Sequence, residues 1–246
     1  MTATAPGLSW ELDEKLKAAI ARYRVPGASL AVYAAETLHE AAAGILNLET
    51  GVEATTQSLF HVASNTKPMT TTLAMQLVDE GRLEPDAPVK RYLPDFRVAS
   101  SEASEHITVR QLLCHSSGID GDFFIETTRG EDRVAKLVEA GRDLPQLHEP
   151  GRGFSYCNHG FAVVGRILEV LEESDFDTIW AKRLAGPLKT PTLLTLTREA
   201  LRYRVAAGHM GEPMVQMLGR MGIAVHLDIA GDAREAVIAV AGVGGG

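Results

Sequence analysis

The sequence predicts an α+β fold, an antiparallel sheet flanked by helices plus a mainly helical lobe. Three observations carry that reading. A helix-period stretch near the start runs directly into two strand-like segments, a long central region is dominated by helix signals, and strict period-two alternation returns near the end. Residues 1–246 read as a single domain, with a sheet lobe of about residues 1–63 and 214–246 and a helical lobe of about residues 64–213.

Each element has a local cause. From Trp10 to Tyr23, Leu12, Leu16, Ile20 and Tyr23 fall on one helical face, with Ser9 as the expected N-cap and Pro26-Gly27 as the stop. Ala28–Ala35 and Leu38–Leu46 read as paired strands on which that helix packs. A second helix runs through Leu73, Met75, Leu77 and Val78. Pro68 stands in its first turn, where a missing N–H costs nothing, and Gly81 ends it. From Asn65 to about Arg183 the chain reads as helices joined by long loops. Thr108 and Gln111 form a capping box there, with Ile107 and Leu112 at the hydrophobic-staple positions. Later, Ile223, Val225, Leu227 and Ile229 alternate with Ala224, His226, Asp228 and Ala230. Gly231-Asp232 then marks a turn before Ala236–Val240, and together these segments read as a hairpin. No internal repeat or flexible linker is evident apart from the glycine-rich Gly242–Gly246.

Composition narrows the function classes. A chain of 246 residues with 45% hydrophobic content can bury a full core. A formal net charge of −8 argues against non-specific nucleic-acid binding. No stretch approaches the roughly 20 apolar residues that span a bilayer, and Met1–Pro6 lacks the basic, apolar character of a signal sequence. The expected location is cytoplasmic, which disfavours cell-wall peptidase and secreted antibiotic-resistance roles. Only Cys114 and Cys157 are present, without metal-ligand spacing, and Cys157 reads as a small apolar spacer rather than a redox switch. The eight histidines include no His-Glu-x-x-His pattern and there is no Gly-rich phosphate loop, so no metal and no cofactor is expected.

The chemistry centres on Ser64-Asn65-Thr66-Lys67 and Tyr156-Cys157-Asn158. Residues three apart on a helix share a face, so the Lys67 amine can reach the Ser64 oxygen. A serine hydroxyl attacks carbonyls poorly until a neighbouring base takes its proton. A lysine serves as that base only when its pKa falls well below roughly 10.4, and a tyrosine only below roughly 10. Side by side, an ammonium favours the phenolate and burial favours the neutral amine, so a Lys–Tyr couple can shuttle one proton to and from serine. A serine at a helix start also aims unpaired N–H groups and the positive dipole end at a developing oxyanion.

Ser64-Asn65-Thr66-Lys67, Leu77-Val78-Asp79-Glu80-Gly81-Arg82-Leu83 and Asp86-Ala87-Pro88-Val89 resemble the serine β-lactamase-like hydrolases: class C β-lactamases, related carboxylesterases and D-amino-acid peptidases. Ile107 through Ile119 and Pro150 through Asn158 continue that resemblance, which extends over about Val25 to Pro213. It implies a β-lactamase/transpeptidase-like fold in which Ser64 is the acylated nucleophile, Lys67 its proton partner, Tyr156 the general base or acid and Asn158 a substrate-positioning amide. It also implies that the Ser64 backbone N–H forms half of an oxyanion hole.

One departure stands out. The family carries a third motif near its C-terminal end, a lysine or histidine followed two positions later by glycine on an edge strand. His209-Met210-Gly211 fits the bare pattern, and His209 is carried as a candidate substrate-binding residue. It follows a segment that resembles an earlier part of the family, so the reading as a loop histidine competes. The resemblance fades after Pro213 and the chain stops early for this family, so the C-terminal part of the sheet is expected to be incomplete. An internal deletion and a truncated or frame-shifted gene are competing explanations.

Among the remaining residues, His115-Ser116-Ser117-Gly118 reads as a structural turn rather than a triad fragment. Asp120, Asp122 and Phe123 are candidates to line the cleft, while Asp86 and Asp95 read as turn residues. The leading expectation is a serine hydrolase of carboxylesterase type that forms an acyl-Ser64 intermediate on a small ester or amide, with no nucleic-acid or membrane partner and the oligomeric state left open. An acyltransferase using the same intermediate is the near variant. A catalytically impaired remnant or binding protein of the same fold, or a sheet completed by a partner chain, are the alternatives.

Overall fold

The hairpin near the start follows from its sequence alternation. In a computed structural model that describes residues 7–34, 36–125, 127–128, 130–210 and 236–237, helix α1 (Gly7–Tyr23) leads into β1 (Gly27–Ala34) and β2 (Thr37–Gly44). The strands are antiparallel, with Gly27 opposite Gly44 and Ala34 opposite Thr37. Ala41 and Ala43, two residues apart on β2, are both buried, and α1 packs against this strand with Leu12, Leu16 and Ile20 half-buried. Two expectations change here. The helix begins at Gly7, so Ser9 lies inside the first turn instead of capping it, because a serine alone does not fix the starting residue. Tyr23 is 67% exposed, off the buried face, and carries the Arg22 guanidinium over its ring.

The described residues form two compact units: residues 7–61 with 197–210 and 236–237, and residues 62–196. Residues 197–210, grouped in sequence with the helical lobe, join the first unit through backbone pairing. The Leu59 N–H donates to Arg204 O at 2.7 Å, the Ala206 N–H to Leu59 O at 2.9 Å and the Ala207 N–H to Leu46 O at 2.8 Å. Helix α8 (Thr197–Ala200) precedes that stretch, and β3 (His209–Met210) pairs antiparallel with β4 (Ala236–Val237). The expected strand Ile223–Ile229, the Gly231-Asp232 turn and Gly242–Gly246 lie outside the described residues.

The second unit is helical: α2 (Thr66–Asp79), α3 (Ser101–His106), α4 (Val109–Leu113), α5 (Arg133–Ala140), α6 (Asn158–Glu172) and α7 (Phe176–Trp180), the last running into a π turn at Ala181–Ala185. Gly81, at φ +70°, ends α2 with a Schellman motif. Its N–H donates to Val78 O and the Arg82 N–H reaches back to Leu77 O, both at 2.9 Å. The capping box of α4 forms as expected, the Gln111 N–H donating to Thr108 Oγ1 at 3.3 Å and the Thr108 N–H to Gln111 Oε1 at 3.0 Å. Ile107 and Leu112 are fully buried beside it. They join Leu73 and Leu77 of α2 and Val163, Val164, Ile167 and Leu168 of α6 in one core, each large side chain contributing about 1.5–3 kcal/mol of burial. Asp86, read as a turn residue, is held from the side by Arg110, whose Nε and Nη2 donate to its carboxylate at 2.6 and 2.8 Å.

Candidate active site

Ser64 sits in a short 3₁₀ turn, Ala63–Asn65, that runs directly into α2. The Asn65 N–H donates to Val62 O at 3.0 Å, and Ala63 adopts a left-handed φ of 43°, uncommon for a residue with a Cβ. This bend leaves Ser64 exposed while Lys67, three residues on, is buried at 5% exposure in the first turn of α2. Lys67 Nζ donates to Ser64 Oγ at 3.3 Å and to Asn158 Oδ1 at 2.7 Å. It also lies over the rings of Tyr156 and Phe161, 4.8 and 5.5 Å from their centroids. Its neighbours are thus neutral oxygens and π faces, which hold the cation in place without neutralising it.

The other half of the site is built at the start of α6. Cys157 is its N-cap, fully buried, with Sγ accepting the Gly160 N–H at 3.1 Å, and burial pushes the thiol pKa up. The apolar-spacer reading therefore gains a capping role. Asn158 and His159 both donate their N–H groups to Gly121 O at 3.1 Å. That close approach requires glycine, because a Cβ at residue 121 would stand 2.1 Å from Cys157 Sγ. It sets Asp122 beside Asn158, whose Nδ2 donates to Asp122 Oδ1 at 3.2 Å. The amide is thereby oriented by charge: its oxygen must face the Lys67 ammonium and its NH₂ the carboxylate.

Tyr156 lies one residue before the cap, 44% exposed, and its hydroxyl donates to Ser64 Oγ at 2.7 Å. Burial pushes its pKa up, but polar interaction with Lys67 and Ser64, reinforced by the Lys67 charge, outweighs burial and holds the phenol below its ordinary value. One oxygen, Ser64 Oγ, therefore receives both a phenol that ionises more readily than usual and an ammonium. That arrangement can remove the serine proton and return it to a leaving group.

Four of the five candidate residues, Ser64, Lys67, Tyr156 and Asn158, come together in the second unit. His209 belongs to the first unit, where its Nε2 accepts the Leu48 N–H at 3.1 Å, and Gly211 lies outside the described residues. Asp122, read only as a candidate lining residue, is an organising partner of Asn158, and Phe161 supplies a ring beneath Lys67. Neither role has a spacing signature, since both arise from contacts between distant segments. Among the described residues no cluster of three or more His, Cys, Asp or Glu side chains offers a metal site, and no helix is long and apolar enough to cross a membrane.

The sequence model of the beta-lactamase family matches residues 12–236, nearly the whole chain. The chain belongs to this family. As a beta-lactamase-family protein it is 45% identical over 200 residues to penicillin-binding protein 4 of Amycolatopsis lactamdurans, a match covering 81% of this chain and 52% of that one. The crystal structure of SurE with D-Leu is similar at 31% identity and a TM-score of 0.61, covering 74% of this chain and 40% of that chain. D-amino acid amidase from Ochrobactrum anthropi SV3, complexed with D-phenylalanine, gives 26% identity and a TM-score of 0.67, covering 81% of this chain and 55% of that chain. The chain thus spans about half the length of these relatives. The resemblance read from the Ser64, Tyr156 and intervening segments is borne out, and the α+β fold is of the β-lactamase/transpeptidase-like type.

Proposed function

We propose that this protein is a serine hydrolase that acylates Ser64 with a small ester or amide and releases the acyl group to water. The observation that carries this reading is the convergence on Ser64 Oγ of Tyr156 Oη at 2.7 Å and Lys67 Nζ at 3.3 Å. Tyr156 as phenolate takes the Ser64 proton while Oγ attacks the substrate carbonyl. The Lys67 ammonium stabilises the phenolate and the growing negative charge, and Asn158, braced by Asp122, keeps Lys67 on the serine side. When the tetrahedral intermediate collapses, Tyr156 passes the proton to the departing alcohol or amine. Water then attacks the acyl carbonyl, giving its proton to Tyr156, and Ser64 Oγ leaves with that proton restored.

Short-chain carboxylic esters are the proposed substrates, with amides of small D-amino acids as the second class. The latter is favoured by two relatives: SurE was solved with D-Leu, and a D-amino acid amidase with D-phenylalanine. Turnover of p-nitrophenyl acetate and butyrate and of D-phenylalanine amide, compared between the natural chain and Ser64→Ala, tests the reading. Many turnovers per molecule, lost in Ser64→Ala, support it. Turnover that survives Ser64→Ala in folded protein overturns it. An added alcohol or amine acceptor that diverts the acyl group from water would identify a transferase using the same intermediate.

A further inference from the structure

We infer that His115 is a positioning residue for Tyr156: it clamps the backbone on both sides of the tyrosine and stacks on the ring between them. The inference rests on the reading of Tyr156 as the proton-transfer group and adds what holds it. Tyr156 needs such a holder. It is nearly half exposed, precedes α6 instead of belonging to it, and has two free side-chain torsions, whereas Lys67 is fixed by the first turn of a buried helix.

The contacts bracket the tyrosine. The His115 carbonyl accepts the Ser155 N–H at 2.8 Å, and its Nδ1 accepts the Cys157 N–H at 3.0 Å. The imidazole lies on the Tyr156 ring at 4.4 Å between centroids and 31° between planes, and is flanked by Phe154 at 5.7 Å and Phe161 at 5.3 Å. One residue thus fixes the amide before Tyr156, the amide after it and the ring itself. To do so, His115 adopts a left-handed φ of 58°, which turns carbonyl and side chain toward the same segment. Because Nδ1 accepts an N–H, the ring must be neutral there, with its proton on Nε2. Burial, aided by the Lys67 charge, holds the His115 pKa below its ordinary value and preserves that form.

The chemical consequence is geometric. Proton transfer needs the phenol oxygen within hydrogen-bond reach of Ser64 Oγ, and a displacement of about 1 Å costs on the order of a hundredfold in rate. The turn reading of residues 115–118 is thereby extended, since the turn presents a side chain that orders the proton-transfer group.

Two variants separate the parts of the clamp. His115→Asn keeps a side-chain acceptor for the Cys157 N–H and tolerates the left-handed backbone. His115→Phe keeps a ring but removes the acceptor. Two readouts are taken: the rate of Ser64 phosphonylation by a reactive phosphonate ester, and the ultraviolet titration of Tyr156, assigned by difference against Tyr156→Phe. For His115→Phe the expected result is phosphonylation slowed about tenfold or more, with the Tyr156 titration moved upward. For His115→Asn a rate within about threefold of the natural chain is expected. An unchanged rate and titration in folded His115→Phe would overturn the inference. So would equal losses in both variants that follow thermal stability with no movement of the tyrosine titration. If the natural chain is not phosphonylated at all, the hydrolase reading fails separately. The titration then still decides: an upward shift in His115→Phe supports the clamp, and none overturns it.

Discussion

Ser64 and Lys67 stand one helical turn apart, whereas Tyr156 reaches the same oxygen from 92 residues away and Asn158 reaches Lys67 from 91. The α2 side is held from beneath, with Thr70, Leu73, Ala74 and Leu77 all buried behind the lysine. The Tyr156 side is held by contacts from two other segments, His115 on the Cys157 N–H and Gly121 O on the N–H groups of Asn158 and His159. The difference teaches which half fixes the charge and which half tunes the geometry. The core dictates where the ammonium sits, while loops dictate how the phenol meets the serine.

Breaking the α2 side should have the largest effect. Lys67→Met is expected to slow acylation by about 10²- to 10³-fold, as loss of a preorganised group that stabilises developing negative charge does. It should leave the fold intact, because an apolar chain of similar volume replaces a buried cation whose hydrogen-bond partners, Ser64 and Asn158, are uncharged. Stopped-flow acylation and thermal melts of the same samples check both halves. Tyr156→Phe should slow acylation by about 10²-fold and change stability little, since the hydroxyl it removes points to Ser64.

The pH profile sharpens the comparison. The tyrosine acts as phenolate and its pKa is held below the ordinary 10.0, so acylation should climb with pH through a midpoint that lies below that value. The rising limb belongs to Tyr156 and should vanish in Tyr156→Phe. A midpoint at or above the ordinary tyrosine value would contradict the assignment.

Stability changes rank next. His159 is 2% exposed, with burial lowering its pKa from 6.5 to about 4, and among the described residues neither ring nitrogen finds a hydrogen-bond partner. The unfolded chain therefore binds a proton that the folded chain refuses. Stability is full above pH 6.5 and is lost as pH falls toward 4, by about 3 kcal/mol for this group. Urea titrations at pH 7 and pH 4.5 should show a smaller difference in His159→Leu than in the natural chain. The smallest effect is reserved for the α4 capping box. Thr108→Ala should cost about 1 kcal/mol and leave acylation unchanged, because the box supports the core without touching Ser64.

The sequence was most informative where the physics is local. The Ser64–Lys67 spacing, the Gly81 stop and the Thr108–Gln111 capping box each depend on residues within one or two helical turns, and each forms as read. The approach of Tyr156 and Asn158 was legible only through their motif and family resemblance, since no local rule brings segments 91 residues apart into contact. The left-handed Ala63 leaves no side-chain signature. The histidine clamp and the Gly121 approach depend on contacts about 40 residues distant, 42 for His115 with Cys157, which periodicity cannot show. Ser9 and Tyr23 depart from their expected roles because neither a serine alone nor helical periodicity alone fixes where a helix starts or where its buried stripe ends.

The most direct test is intact-protein mass spectrometry after exposure to a reactive phosphonate ester, run on the natural chain, Ser64→Ala and Tyr156→Phe, with each shown to be folded. The expected result is one adduct on the natural chain, none on Ser64→Ala and much slower labelling of Tyr156→Phe. An adduct on Ser64→Ala, or labelling of Tyr156→Phe at the natural rate, would contradict activation of Ser64 by the lysine and tyrosine that meet at its oxygen.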